Sequence, residues 1–259
     1  MLCLPCYSMA DATNPNIEIR ELRAHSEFAE VVHLQREIWG FQDVELLPLR
    51  LFVVASKIGG QLLGAFAGTN MIGFCLCIPG LKPGGKAYLH SHMLGVLPPY
   101  RNTGLGRKMK LKQREFALAR GVDLIEWTFD PLEIKNAFFN IERLGAIARR
   151  YVHNQYGTTS SHLHGGLPTD RLIAEWWIAS DRVRSILDKK SFQRPLAQAV
   201  ASVPIHIARL RKEHPAEARA IQSSLGEQLA ESFRTGLAAI GFEKNDSEGR
   251  YLLGAWPSP

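Results

Sequence analysis

No run of apolar residues in this 259-residue chain approaches the length needed to cross a bilayer, about 20 residues in a helix. The first ten residues hold no basic segment and are broken by Pro5, so they make a poor secretory signal. Both absences predict a cytoplasmic protein with no membrane partner. Cysteine is scarce: there are four, Cys3, Cys6, Cys75 and Cys77. Cys3 and Cys6 form one C-x-x-C in a polar leader, where Met9 is a second candidate start, and Cys75 and Cys77 share one face of an apolar run. A second C-x-x-C, or a Cys/His pair at finger spacing, is missing, so neither a disulfide framework nor a metal site is expected. Internal repeats and low-complexity segments are also lacking. The net charge of +6 comes with no aromatic-rich single-strand platform and no helix-turn-helix, so no nucleic-acid partner is expected.

What remains is an ordinary globular composition, 46% hydrophobic and 22% charged, able to bury a core. Residues 1–16 read as a disordered leader. Ile17–Leu22 alternates as a half-buried strand does, and Ser26–Trp39 repeats apolar residues at helical spacing between an N-cap at Ser26 and a stop at Gly40. Leu49–Ile58 reads as a helix. Gln61–Ala67 and Ile72–Ile78, separated by Gly68-Thr69-Asn70, read as a hairpin. After a Gly/Pro loop, Ala87–Val96 is a strand, Gly104–Arg120 a basic amphipathic helix, Val122–Phe129 a strand and Ile134–Leu144 a helix. Arg150–Tyr156 and Leu172–Ala179 are strand-like runs joined by a Gly-, Ser- and His-rich loop. In the tail, Ser202–Ile207 is a short strand that pairs Val203–Ile205 with Tyr251–Leu253. Ala216–Ile240 reads as one long helix with Ile221, Leu225, Leu229, Phe233, Leu237 and Ile240 along a stripe.

Much of the basic excess is local: Arg101, Arg107, Lys108, Lys110, Lys112 and Arg114. Most of it reads as a solvated helix face. Arg101 and Arg107 differ, because they flank the turn Asn102-Thr103-Gly104-Leu105-Gly106 between a strand and a helix. Glycines there let the backbone approach a ligand and present unpaired N–H groups, and the helix start adds orphan donors and its dipole. Together these make a seat for a pyrophosphate.

Arg101-Asn102-Thr103-Gly104-Leu105-Gly106 resembles the Arg/Gln-x-x-Gly-x-Gly/Ala signature of the GNAT acyl-CoA N-acyltransferases, and Leu94-Gly95-Val96-Leu97-Pro98-Pro99-Tyr100 resembles the strand that leads into it. Asn136 to Ala146 is similar to the family's second motif, an Asn-started helix ending in Leu-Gly. Ser91–Val96, Trp127–Leu132 and Leu167–Arg171 resemble a branch known as predicted acetyltransferases, a label that carries no substrate. The resemblance covers about two thirds of the chain, 17–180, and leaves 181–259 as a C-terminal extension. It implies an α/β (α+β) fold, with a mixed, mostly antiparallel sheet flanked by helices. The extension is then expected to pack on the core or on a dimer partner, because an exposed apolar stripe of that length would associate.

The resemblance further implies acetyl-CoA, or another acyl-CoA, as co-substrate and a small or amino-acid-like amine as acceptor, with attack directly on the thioester. Backbone groups at Leu94, Gly95 and Val96 would hold the pantetheine arm, with an oxyanion donor among Met93 to Gly95. The amides of Asn102 to Gly106 would cradle the pyrophosphate, flanked in the cofactor site by Arg101 and Arg107, and Asn136 would reach the pantetheine or thioester end. Several members carry a carboxylate base six residues before the last hydrophobe of the fourth strand; that position is His90, with His92 two residues on. Imidazole suits base work near neutral pH. Glu126 and Asp130 on the fifth strand are further candidates, Asp130 equally as a helix cap. The family often uses a Tyr as thiolate acid where this chain has Ile141. Tyr151, Tyr156, a water or no acid must then serve, or the protein only binds acyl-CoA. His162 and His164 are candidates to line the acceptor pocket.

Overall fold

A computed structural model describes residues 17–157 and 166–256. The leader with Cys3 and Cys6, and the loop histidines His162 and His164, lie outside those residues. The first strand, β1 (Ile17–Glu21), leads into helix α1 (His25–Trp39) and then α2 (Leu49–Lys57). Glu27, not Ser26, closes the start of α1: its carboxylate accepts from the Arg23 and Ala24 amides at 2.8 and 3.0 Å. Gly40 ends α1 in the left-handed conformation, φ 69°.

The hairpin is longer than its spacing suggests, β2 (Gln61–Ala67) and β3 (Asn70–Leu81). Next come β4 (Ala87–Val96), α3 (Leu105–Ala119), β5 (Leu124–Phe129) and α4 (Ile134–Phe138). The α4 pattern runs to Arg143, but Phe139–Arg143 widens into a π turn. β6 (Ile147–Val152) and β7 (Arg171–Trp177) follow, each displaced from the expected bounds by a few residues.

The tail holds α5 (Asp181–Leu187), β8 (Ala199–Pro204), α6 (Ile207–Glu213), α7 (Pro215–Arg234), β9 (Leu237–Lys244) and β10 (Glu248–Ala255). The expected helix Ala216–Ile240 is therefore a helix and a strand. Gly236 at φ 87° turns the chain after Arg234, and Leu237 and Ile240 sit on β9. Helices α5 and α6 were not foreseen. β10 does pair with β8, but Tyr251–Leu253 lie opposite Ala201–Ala199, while Val203 and Pro204 face Gly249 and Glu248.

Among the described residues all strands join one ten-stranded sheet in the order β1-β2-β3-β4-β5-β7-β6-β9-β10-β8. Every adjacent pair is antiparallel except β4 with β5. One apolar cluster joins β1–β4 to α1, α2 and the start of α3. A second runs from β5 and β7 through α4 to α6, α7, β9 and β10, so the tail shares a core with the middle of the chain. Among the described residues no helix is long and apolar enough to cross a membrane.

Candidate functional site

β4 and β5 pair only at Leu89–Ile125 and His90–Glu126. Beyond those pairs β4 continues to Val96 and β5 to Phe129 with no strand between them, so the sheet opens into a V. His92 is the extra residue of a bulge in β4, between the pairs Cys77–Ser91 and Leu76–Met93. A bulge bends and twists its strand, which helps β4 leave β5. Gly95 lies directly under α1, where a Cβ would stand 2.7 Å from the Trp39 ring and 2.8 Å from Ile38.

The open end of the V meets the turn into α3. Asn102 and Gly104 adopt positive φ, 63° and 85°. Among the described residues, none of the amides from Asn102 to Arg107 donates to a backbone carbonyl, and no side chain caps α3; the first intrahelical donor is Lys108, to Gly104 O at 3.1 Å. Six successive free N–H groups at a helix start form an anion seat. The space in front is open: a Cβ on Gly104 would meet nothing within 4 Å, and one on Gly106 only Leu94 Cδ2 at 3.7 Å. A pyrophosphate fits this seat on both counts. The Arg101 side chain is engaged elsewhere, donating to Val96 O at 3.0 Å and Ile38 O at 3.2 Å. It pins the turn to the ends of β4 and α1; Arg107, half-buried in the first turn of α3, stays beside the seat.

On the α3 face of the apex lies a buried polar cluster. Lys110 Nζ donates to Ser91 Oγ at 2.9 Å and sits 3.7 Å from the centre of the Trp127 ring. Gln113 Nε2 bonds Ser91 Oγ at 3.0 Å, Cys77 Sγ at 3.0 Å and Cys75 Sγ. Burial pushes the Lys110 ammonium down to about 8, partly offset by the two cysteines. Burial pushes the Cys75 thiol well up.

The opposite face gathers other candidates. His90 and His92 lie with ring centres 5.8 Å apart. Burial, then the neighbouring His92, Lys110 and Lys82, lower His90 to about 4; burial also lowers His92. Glu126, beside His90, is buried and paired with Lys82 Nζ at 2.6 Å and with Arg150. Its neighbour across β7, Glu175, holds Arg149 at 2.7 Å and Arg150 at 3.5 Å. A row of His90, Glu126 and Glu175 with three cations therefore crosses the sheet where the V begins. Thr128 and Tyr156 hydroxyls share a bond of 2.9 Å farther along β5.

Asp130 and Tyr151 are not part of that row. Asp130 accepts from the Leu132 amide at 2.8 Å and pairs with Arg211 of α6 at 2.6 Å, so it caps the turn after β5 and holds the tail. Tyr151 donates to Asp170 at 2.6 Å, and burial together with that carboxylate raises its phenol far above the usual tyrosine range. Asn136 is exposed on α4, while Ile141 is buried in the second core cluster. Among the described residues no group of three or more His, Cys, Asp or Glu is placed to hold a metal ion.

A mixed, mostly antiparallel sheet flanked by helices, opened between its two parallel strands, matches the fold of the GNAT acetyltransferases. Residues 20–145 match the model of the acetyltransferase (GNAT) family. That family transfers acetyl groups from an acyl-CoA, and the chain is an N-acetyltransferase-like enzyme. Among solved structures it is similar to Arabidopsis thaliana NAA60, solved with a bisubstrate analogue, at 14% identity and a TM-score of 0.51 over 62% of this chain and 98% of that one. It is equally similar to smu.2055 from Streptococcus mutans UA159, at 14% identity and TM-score 0.51, covering 62% and 99%. A search of curated proteins finds no sequence match.

Proposed function

We propose that the protein is an acetyl-CoA-dependent N-acyltransferase acting on a small or amino-acid-like amine. The observation that carries this reading is the V between β4 and β5 ending at six unpaired amides. The amides of Asn102 to Arg107 hold the pyrophosphate, and the free edge of β4 at Leu94, Gly95 and Val96 pairs with the pantetheine arm. The amine approaches from the His90 face, where His90 takes its proton directly or through a water and His92 sits beside it. Glu126 is a poor alternative base, since two cations already hold it. A second reading, an acyl-CoA-binding regulatory protein, draws on Ile141: an apolar, buried side chain stands where a phenol would serve as acid.

Gly106→Glu tests the seat. Gly106 has ordinary helical φ and room for a side chain, whereas Gly104 at φ 85° would add backbone strain to any substitution. A carboxylate facing the pyrophosphate should weaken acetyl-CoA binding by ~10²-fold or more, since like-charge contacts cost several kcal/mol. Calorimetry on the folded variant decides it. Wild-type affinity in Gly106→Glu would remove the reading.

A further inference from the structure

We propose that Lys110 is the catalytic acid that hands a proton to the departing coenzyme A sulfur; the proposal rests on the acyltransferase reading above. Ser91 is the first β4 residue beyond the last β4–β5 pair, and Trp127 is the first such residue of β5. Lys110 Nζ touches both, at 2.9 Å and 3.7 Å, so it stands at the apex of the V. An arm seated on the α3 amides and lying along β4 from Val96 runs toward this point. Along α3 the distance from Leu105 to Lys110 is about 8 Å, at 1.5 Å per residue.

A lysine buried without a carboxylate costs free energy that structure alone does not explain. Among the described residues none pairs with Lys110, whose bonded partner is the Ser91 hydroxyl. The titratable groups facing it are the Cys75 and Cys77 thiols of β3, with His90 of β4 felt through the sheet; β5 offers Trp127 and α3 offers Gln113. Its ammonium, lowered to about 8, lies close to an ordinary thiol at about 8.5, the match that favours transfer between them. The other acids lie elsewhere. Ile141 has no proton to give, Tyr151 is bound to Asp170, and Tyr156 is bonded to Thr128 on the opposite face.

The balance closes without another reactant. The amine nitrogen bonds to the carbonyl carbon, the C–S bond breaks and its electron pair passes to sulfur. Lys110 Nζ gives its proton to that sulfur, the amine's proton goes to His90 or water, and neutral Lys110 regains a proton from solvent before the next turnover.

The test titrates the thiol of bound coenzyme A. Thiolate absorbance is followed against pH for wild type and Lys110→Met, each referenced to its complex with desulfo-CoA so that Cys75 and Cys77 cancel. A facing ammonium should lower the pH at which the bound thiol ionises by about one unit or more relative to Lys110→Met. Turnover of Lys110→Met should fall ~10²-fold with acetyl-CoA affinity retained. Lys110→Gln, which keeps a donor for Ser91, serves if the Met variant folds poorly, and it should behave the same way. Equal thiol titrations in wild type and variant, both binding coenzyme A, overturn the acid role while leaving the acyltransferase reading intact. A wild type that binds no coenzyme A removes both.

Discussion

At the scale of single residues, the pH behaviour of His90 separates base from bystander. A free imidazole titrates near 6.5, but burial and nearby positive groups lower His90 to about 4. A base must be unprotonated, so the rate due to His90 should rise as pH increases through about 4 and be flat across 6 to 7. The unfolded chain takes the same proton nearer 6.5, so this residue's contribution to stability is present above that value and is lost as pH falls toward 4. His90→Ala should lower turnover by ~10²-fold with little change in acetyl-CoA affinity, since backbone groups hold the cofactor. Full activity in His90→Ala and His92→Ala alike would send the search for a base to water. Residue-level reading of the sequence reached the glycine turn because glycine and helix starts carry local signals. It missed Lys110, grouped with the solvated basic face, because one lysine among many says nothing of its partners. A signal was there: Gly106, Lys110, Gln113 and Ala117 fall at i, i+4, i+7 and i+11, one helix face, and from Lys110 onward all are buried.

At the scale of elements, α7 shows both what periodicity reveals and where it misleads. Ile221, Leu225, Leu229 and Phe233 form a true helical stripe against the second core cluster. Leu237 and Ile240 continue its phase by coincidence, since an apolar strand satisfies any short periodic template. Only Thr235-Gly236 marks the break. The helix packs closely on β6 through Gly226, where an added Cβ would stand 2.7 Å from the Tyr151 hydroxyl and 2.9 Å from its ring. Tyr151 cannot swing away freely, because Asp170 holds it at 2.6 Å. Gly226→Leu should therefore destabilise by ~1–3 kcal/mol, even though leucine favours a helix over glycine by about 1 kcal/mol. Urea denaturation measures it. An unchanged or raised midpoint would mean that the α7–β6 contact is looser than this packing requires.

At the scale of the whole molecule, the tail continues the sheet and braces one wall of the V. β9 lies beside β6, with β10 and β8 outside it, a topology invisible in a sequence whose motifs end near Arg171. Three polar ties fasten the tail to the segment after β5. Arg211 pairs with Asp130 at 2.6 Å and Glu133 at 2.8 Å; Tyr251 donates to Pro131 O at 2.7 Å; Glu142 holds Arg194 at 2.8 Å and the Phe242 amide at 2.7 Å. That segment runs from the end of β5, one arm of the V, through α4. With core and ties shared in this way, heat or urea should unfold the chain in one transition. Arg211 gives the sharper test. Its guanidinium and Asp130 are both buried, so Arg211→Ala removes the cation bonded to that carboxylate, at a cost of ~3–5 kcal/mol. Asp130→Asn placed in the Arg211→Ala background removes the carboxylate's charge and should recover part of the loss. Non-additivity in this double-mutant cycle is the diagnostic, because residues in contact couple and distant ones do not. If the two losses simply add, Arg211 does not hold Asp130, and the tail braces the V through its apolar core alone.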